Sequence, residues 1–148
     1  MLKGIDPLLN ADVLFALRAM GHGDDLVISD TNFPADSIAR QTSLGRVLRI
    51  DRSAADVLRA VLSVYPVDTF VDGAAGRMEV VGAPDALEPV MAEAQAEITA
   101  AGGPQLRGIE RFAFYERARN AYAVIQTDER RFYGCFVLRK GVVPPENN

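Results

Sequence analysis

Apolar and polar positions along this 148-residue chain change period several times, and each change marks an expected element. Over residues 10–21, "NADVLFALRAMG", Val13, Leu14, Leu17 and Met20 share one face at helical spacing. Asn10 is placed to cap that helix, Asp12 sits in its first turn, and Gly21 suits the left-handed residue that ends it. At 25–30, "DLVISD", Leu26, Val27 and Ile28 are continuously apolar, the pattern of a strand buried on both faces. "TNFPADS" (31–37) is expected to be loop, with Phe33 pushed toward extended geometry by Pro34.

Further strands are expected at "GRVLRID" (45–51), "RMEVVG" (77–82), "AYAVIQT" (121–127) and "YGCFVLRKG" (133–141). Helices are expected at "SAADVLRAVLSVY" (53–65), capped by Ser53 with Pro66 beyond its end, at "PDALEPVMAEAQAEITAAGG" (84–103), and at "IERFAFYERARN" (109–120). The tail "VVPPENN" reads as loose. Strands alternating with helices predict a single layered α/β domain.

Composition narrows the function. The length suits one domain with a core of its own. A net charge of −4 argues against nucleic acid and anionic membrane as partners, since both call for a basic patch. No apolar run approaches the roughly 20 residues that span a bilayer, and the first ten residues do not read as a signal peptide. The single cysteine, Cys135, excludes an intrachain disulfide and fits a cytoplasmic location; one His with one Cys makes a zinc site of those ligands implausible.

Four short stretches hold the candidate chemistry. His22, the only histidine, lies between Gly21 and Gly23, where little bulk would hinder a ligand. Imidazole is the natural proton donor and acceptor at neutral pH, although a histidine here also fits a helix end, complementing the dipole. Asp30 closes the apolar strand, and open α/β sheets bind ligands at carboxyl ends of strands; a turn or cap residue is the plainer alternative. "RFAFYERA" (111–118) interleaves Arg111, Tyr115 and Arg117 with Phe112 and Phe114, which equally suits a helix with a solvated charged face. "RFYGC" (131–135) puts Tyr133 and Gly134 at a strand entry, either exposing backbone to a small ligand or forming a bulge.

The motifs "GHGD", "SD..FP", "RFAFYERA" and "YG…L.KGV", in this order, make the chain resemble the RbsD/FucU family of sugar mutarotases, on its L-fucose branch. The likeness runs from "LKGIDPLL" to Val142 and is weakest over residues 66–105. It implies a single-domain α/β fold of three layers around a central mixed sheet, and an enzyme exchanging monosaccharide anomers by general acid–base ring opening and closure, without metal or organic cofactor. It places the catalytic histidine at His22 and the sugar-binding residues at Asp30, Arg111, Tyr133, Gly134 and Cys135. Cys135 departs from the family pattern, which has asparagine there. Tyr115 and Glu116 are further candidates, Phe33 is one for the sugar's methyl group, and Asp30 is expected also to orient His22. The family's rings, commonly decamers, imply a homo-oligomer with sites near subunit interfaces. Pyranose–furanose exchange on ribose and non-catalytic sugar binding are the alternatives.

Overall fold

A computed structural model describes residues 1–146. The last two residues of the expected loose tail lie outside the described residues; 142–146 carry no regular structure. In chain order the elements are α1 (Ala11–Ala19), β1 (Asp25–Ser29), α2 (Ala35–Ala39), β2 (Leu48–Ile50), α3 (Ala54–Leu62), β3 (Ala75–Met78), α4 (Pro89–Ala100), β4 (Arg107–Ile109), α5 (Arg111–Arg119), β5 (Ala123–Thr127) and β6 (Phe136–Arg139). The strands form one mixed sheet in the order β2-β5-β1-β6-β3-β4. Pairing is parallel except where β6 runs antiparallel to β1 and β3.

Strand alternation sorts the core into two layers. Leu26 and Ile28 of β1, with Ile125, Phe136 and Leu138, pack against α1, α3 and α4. Val27, Val124 and Val137 face the opposite way, against α2 and α5. The continuous apolar run of β1 is explained by this: it is central, paired on both edges and covered on both faces. Helix starts follow local chemistry. Asn10 Oδ1 accepts the Val13 N–H at 3.0 Å and Ser53 Oγ that of Asp56 at 3.2 Å.

Several expectations shift. α2 lies partly inside the segment expected to be loop, because Pro34 starts a helix as readily as it ends a strand. β3 occupies 75–78 rather than 77–82: its register is set by Ala75 and Gly76 lying opposite Leu138 and Val137, and the chain turns away after Glu79. α4 begins at Pro89, not Pro84, since Pro89 lacks the N–H that a helix interior needs and fits the first helical position. β4 was not anticipated; "RGI" is too short to show a period. α1 leaves through an extended Met20, and the left-handed residue is Gly23 (φ = 90°), not Gly21.

Candidate active site

β1 carries His22 ahead of its amino end and Asp30 just past its carboxyl end. Five strand residues at ~3.3 Å each separate the two by roughly 16 Å within one chain. Within one chain, Asp30 therefore does not reach His22 to orient it. The structure instead gathers Asp30, Arg111, Tyr115, Tyr133 and Cys135 around one cavity of about 240 Å³, and places His22 on a different surface.

The cavity opens at the carboxyl ends of β1 and β3, beside the amino end of α5. Asp30 is buried, and its carboxylate is held by backbone alone. Oδ1 accepts the N–H groups of Asn32 (3.0 Å) and Phe33 (2.9 Å), and Oδ2 accepts that of Gly134 (3.2 Å). A carboxylate has about four lone-pair sites. Three are filled, which leaves one, on Oδ2, for a ligand hydroxyl.

Gly134 permits this approach: a Cβ there would lie 2.8 Å from Glu129 Cγ and 3.3 Å from Asp30 Cβ. Its N–H is thus committed to Asp30 and not offered to a ligand as expected. Tyr133, just before it, has φ = 63°, a left-handed conformation that costs a non-glycine residue about 1 kcal/mol or more. The Tyr133 hydroxyl accepts the Val81 N–H at 3.2 Å, so its own proton is free for a ligand oxygen.

α5 presents Arg111 because Glu110 caps it. The Glu110 carboxylate accepts the Phe112 and Ala113 N–H groups, both at 3.0 Å, and these two bonds hold its carboxyl below the usual range. Arg111 Nε donates to Tyr115 Oη at 3.3 Å, and its guanidinium carbon lies 5.5 Å from the Tyr115 ring centre. Tyr115 in turn lies 5.4 Å from Phe33, which with Met78, Val81 and Phe132 completes the apolar wall. Burial, reinforced by the negative charge of Asp30, pushes the Cys135 thiol well above its ordinary range. It lines the cavity as a neutral thiol and not as a nucleophile.

The remaining "RFAFYERA" charges do other work. Arg117 Nε and Nη2 grip Asp25 at 2.9 and 3.0 Å, and Nη1 donates to the Gly73 carbonyl, which makes Arg117 a structural residue. Glu116 pairs with Arg119, away from the cavity. Asn32, Met78, Val81 and Phe132 were missed by sequence reasoning, and no local pattern marks them.

His22 borders a broader groove of about 710 Å³, with Leu14, Val64, Pro66, Val142 and Val143 among its walls. Its imidazole is half exposed, its Nε2 lies 3.2 Å from Asp68 Oδ2, and the Phe70 ring flanks it edge-on with centres 5.6 Å apart. Phe70, Val142 and Val143 are exposed around it. Val81, Phe112 and Phe132 are likewise exposed around the first cavity. Each half of the expected site thus carries an uncovered apolar rim.

Fold and site together define a layered α/β protein with a small polar pocket at the carboxyl ends of its strands. The chain matches the model of the RbsD / FucU transport protein family over residues 3–143. It belongs to that family. It is 42% identical to the fucose mutarotase of Bos taurus, over 99% of this chain and 97% of the relative. Among solved structures, protein Atu2016 superposes with a TM-score of 0.94 at 67% identity, covering 97% of each chain. A fucose mutarotase from Streptococcus pneumoniae, solved in complex with L-fucose, superposes with a TM-score of 0.86 at 32% identity, over 97% of this chain and all of that one.

Proposed function

We propose that this protein is a mutarotase for L-fucose or a closely related monosaccharide, its active site shared between copies. The carrying observation is the division of the site. A sugar-sized cavity holds Asp30, Arg111 and Tyr133, while the only imidazole sits at the far end of β1 on an apolar surface. In a head-to-tail assembly, the His22 face of one copy covers the cavity rim of the next, and the ring closes without leaving either rim exposed. The family resemblance supports such a ring, commonly a decamer, and the single reduced cysteine suits a cytoplasmic setting. No helix among the described residues is long and apolar enough to cross a membrane.

The chemistry needs little. A base removes the anomeric hydroxyl proton while an acid protonates the ring oxygen; the open-chain aldehyde rotates, and closure reverses the roles. Positioned acid–base catalysis is worth roughly 10²–10⁴-fold, or about 3–5 kcal/mol. Asp30 takes a sugar hydroxyl on its open Oδ2 site, and Arg111 donates through its pinned guanidinium. Tyr133 Oη donates to a sugar oxygen, and His22 of the adjoining copy moves the proton. The names of the Bos taurus and Streptococcus pneumoniae relatives support fucose as the sugar.

Saturation-transfer NMR on L-fucose, D-ribose and D-galactose tests the reading. Catalysed anomer exchange is expected for fucose and is lost in His22→Ala and in Arg111→Ala. Mixing and co-refolding the two inactive variants restores about a quarter of the activity, because about one interface in four then joins an intact His22 to an intact Arg111. No recovery refutes the shared site. Binding without exchange for every sugar favours a non-catalytic module, the reading to which the thiol at Cys135 would lend weight.

A further inference from the structure

Every residue of β3 is buried, and one of them is an arginine. Arg77 stands opposite Phe136 of β6, on the face that α4 covers; its neighbour Met78 turns to the other face and lines the sugar-sized cavity. Arg77 is 7% exposed. Among the described residues it forms no ion pair and a single hydrogen bond, from Nη2 to the Pro84 carbonyl at 3.1 Å; its buried Nη1 has no acceptor. Glu79, two residues on, lies beside Gly108 instead, where a Cβ would come within 3.0 Å of its Oε1.

Arg77 lines a cavity of about 340 Å³ beneath α4, which shares no residue with the sugar-sized one. Leu87, Met91 and Leu106 give it apolar walls. Leu87 and Gln105 are exposed at its mouth, and Met91 is buried. One wall is fixed by Gln95, whose Oε1 accepts the Leu106 N–H at 2.7 Å and whose Nε2 donates to Thr99 Oγ1 at 3.1 Å and to the Pro104 carbonyl at 3.2 Å. Gln95 is thereby engaged with its neighbours and not with the guanidinium.

A guanidinium stays charged at any ordinary pH and carries five N–H donors. Buried charges are normally paired, because leaving water is costly and only an opposite charge offsets it. The Pro84 carbonyl occupies one donor and brings no charge. An anion matches the rest. Phosphate would press its remaining oxygens against leucine and methionine, whereas a carboxylate offers two oxygens to the planar fork and continues as carbon. We propose that the cavity beneath α4 is a binding site for a small carboxylate with an apolar body, held by Arg77 Nη1 and walled by Leu87, Met91 and Leu106.

Methyl NMR on methionine-labelled protein tests this, since Met91 lines this cavity and Met78 the other. Titration with acetate, butyrate and hexanoate is expected to move the Met91 methyl saturably and leave Met78 in place. Affinity should rise about twofold to fourfold per methylene, as an apolar wall requires. Hexanoate at ten times its Kd should raise Tm by roughly 3–6 °C. Arg77→Met exchanges a buried charge for an apolar side chain, should fold at least as well, and should lose both responses. Arg77→Lys keeps the charge without the fork and should bind about tenfold more weakly or worse.

A Met91 methyl that no carboxylate moves overturns the proposal without any variant. So does Arg77→Met binding hexanoate as the intact protein does, a series that is flat in chain length, or inorganic phosphate bound as tightly as hexanoate. An Arg77→Met protein that sediments as a smaller particle than the intact one overturns it too, because the counter-charge then comes from a neighbouring copy. Should Arg77→Met fail to fold, undiminished affinity in Arg77→Lys refutes the role of the fork.

Discussion

Asp30→Asn separates the two duties of the buried carboxylate. Asparagine is nearly isosteric, and its amide oxygen at the Oδ1 position keeps the Asn32 and Phe33 N–H groups. The Nδ2 group then replaces Oδ2, where it meets the Gly134 N–H at about 3.2 Å, donor against donor. One hydrogen bond to a charged group is lost, worth about 1.5–3 kcal/mol. A stability loss of about 2 kcal/mol lowers Tm by roughly 4–8 °C for a domain of this size. The same exchange removes the acceptor left for a sugar hydroxyl. Losing that charged acceptor weakens binding by a similar amount, or roughly 10–150-fold in Kd. Differential scanning calorimetry and titration calorimetry with L-fucose measure the two effects on one sample. A lower Tm with an affinity unchanged within about twofold would show a clasp for the loop and no contact with sugar. If neither quantity moves, the Gly134 N–H does not bond Asp30 in solution and no sugar hydroxyl reaches this carboxylate.

Cys135→Asn restores a carboxamide to the cavity wall and should speed fucose exchange by about twofold to tenfold, the value of one neutral hydrogen bond; an unchanged saturation-transfer rate would mean that no side chain at this position touches the sugar. Arg117→Ala leaves the mostly buried Asp25 with only the 3.3 Å contact from Arg139. It should cost about 2–3 kcal/mol in denaturant unfolding while fucose affinity in the folded fraction is retained. Acid should also destabilise the fold through Glu129, whose carboxyl is held below its ordinary value near 4.5 chiefly by the Arg131 guanidinium at 2.9 Å. Because folding lowers this pKa, the stabilisation is complete above the unfolded value and is lost as pH falls below about 4.5 through the folded one. Glu129→Gln should flatten the stability profile there; an unchanged profile refutes the assignment.

The local parts of this structure were legible in the chain because their causes are local. A side-chain oxygen at Asn10 or Ser53 reaches an N–H three residues on, and three adjacent apolar residues at 26–28 need cover on both faces wherever the strand goes. The boundaries that moved depend on distant partners: β3 ends where its pairing with β4 ends, at Met78 opposite Ile109, not where the β-branched residues do. The site divides in the same way. "RFAFYERA" and "YGC" name their chemistry in one dimension, and the cavity contains Arg111, Tyr115, Tyr133 and Cys135 together. Spacing alone could not show that a strand holds His22 and Asp30 apart. Nor could it show that Gly134 reaches across 104 residues to clasp Asp30, or that Asp68 and not Asp30 faces the imidazole. Caps and periodicity act within a turn or two of backbone, whereas β1 is a rigid spacer whose direction and neighbours are set only when the whole sheet pairs.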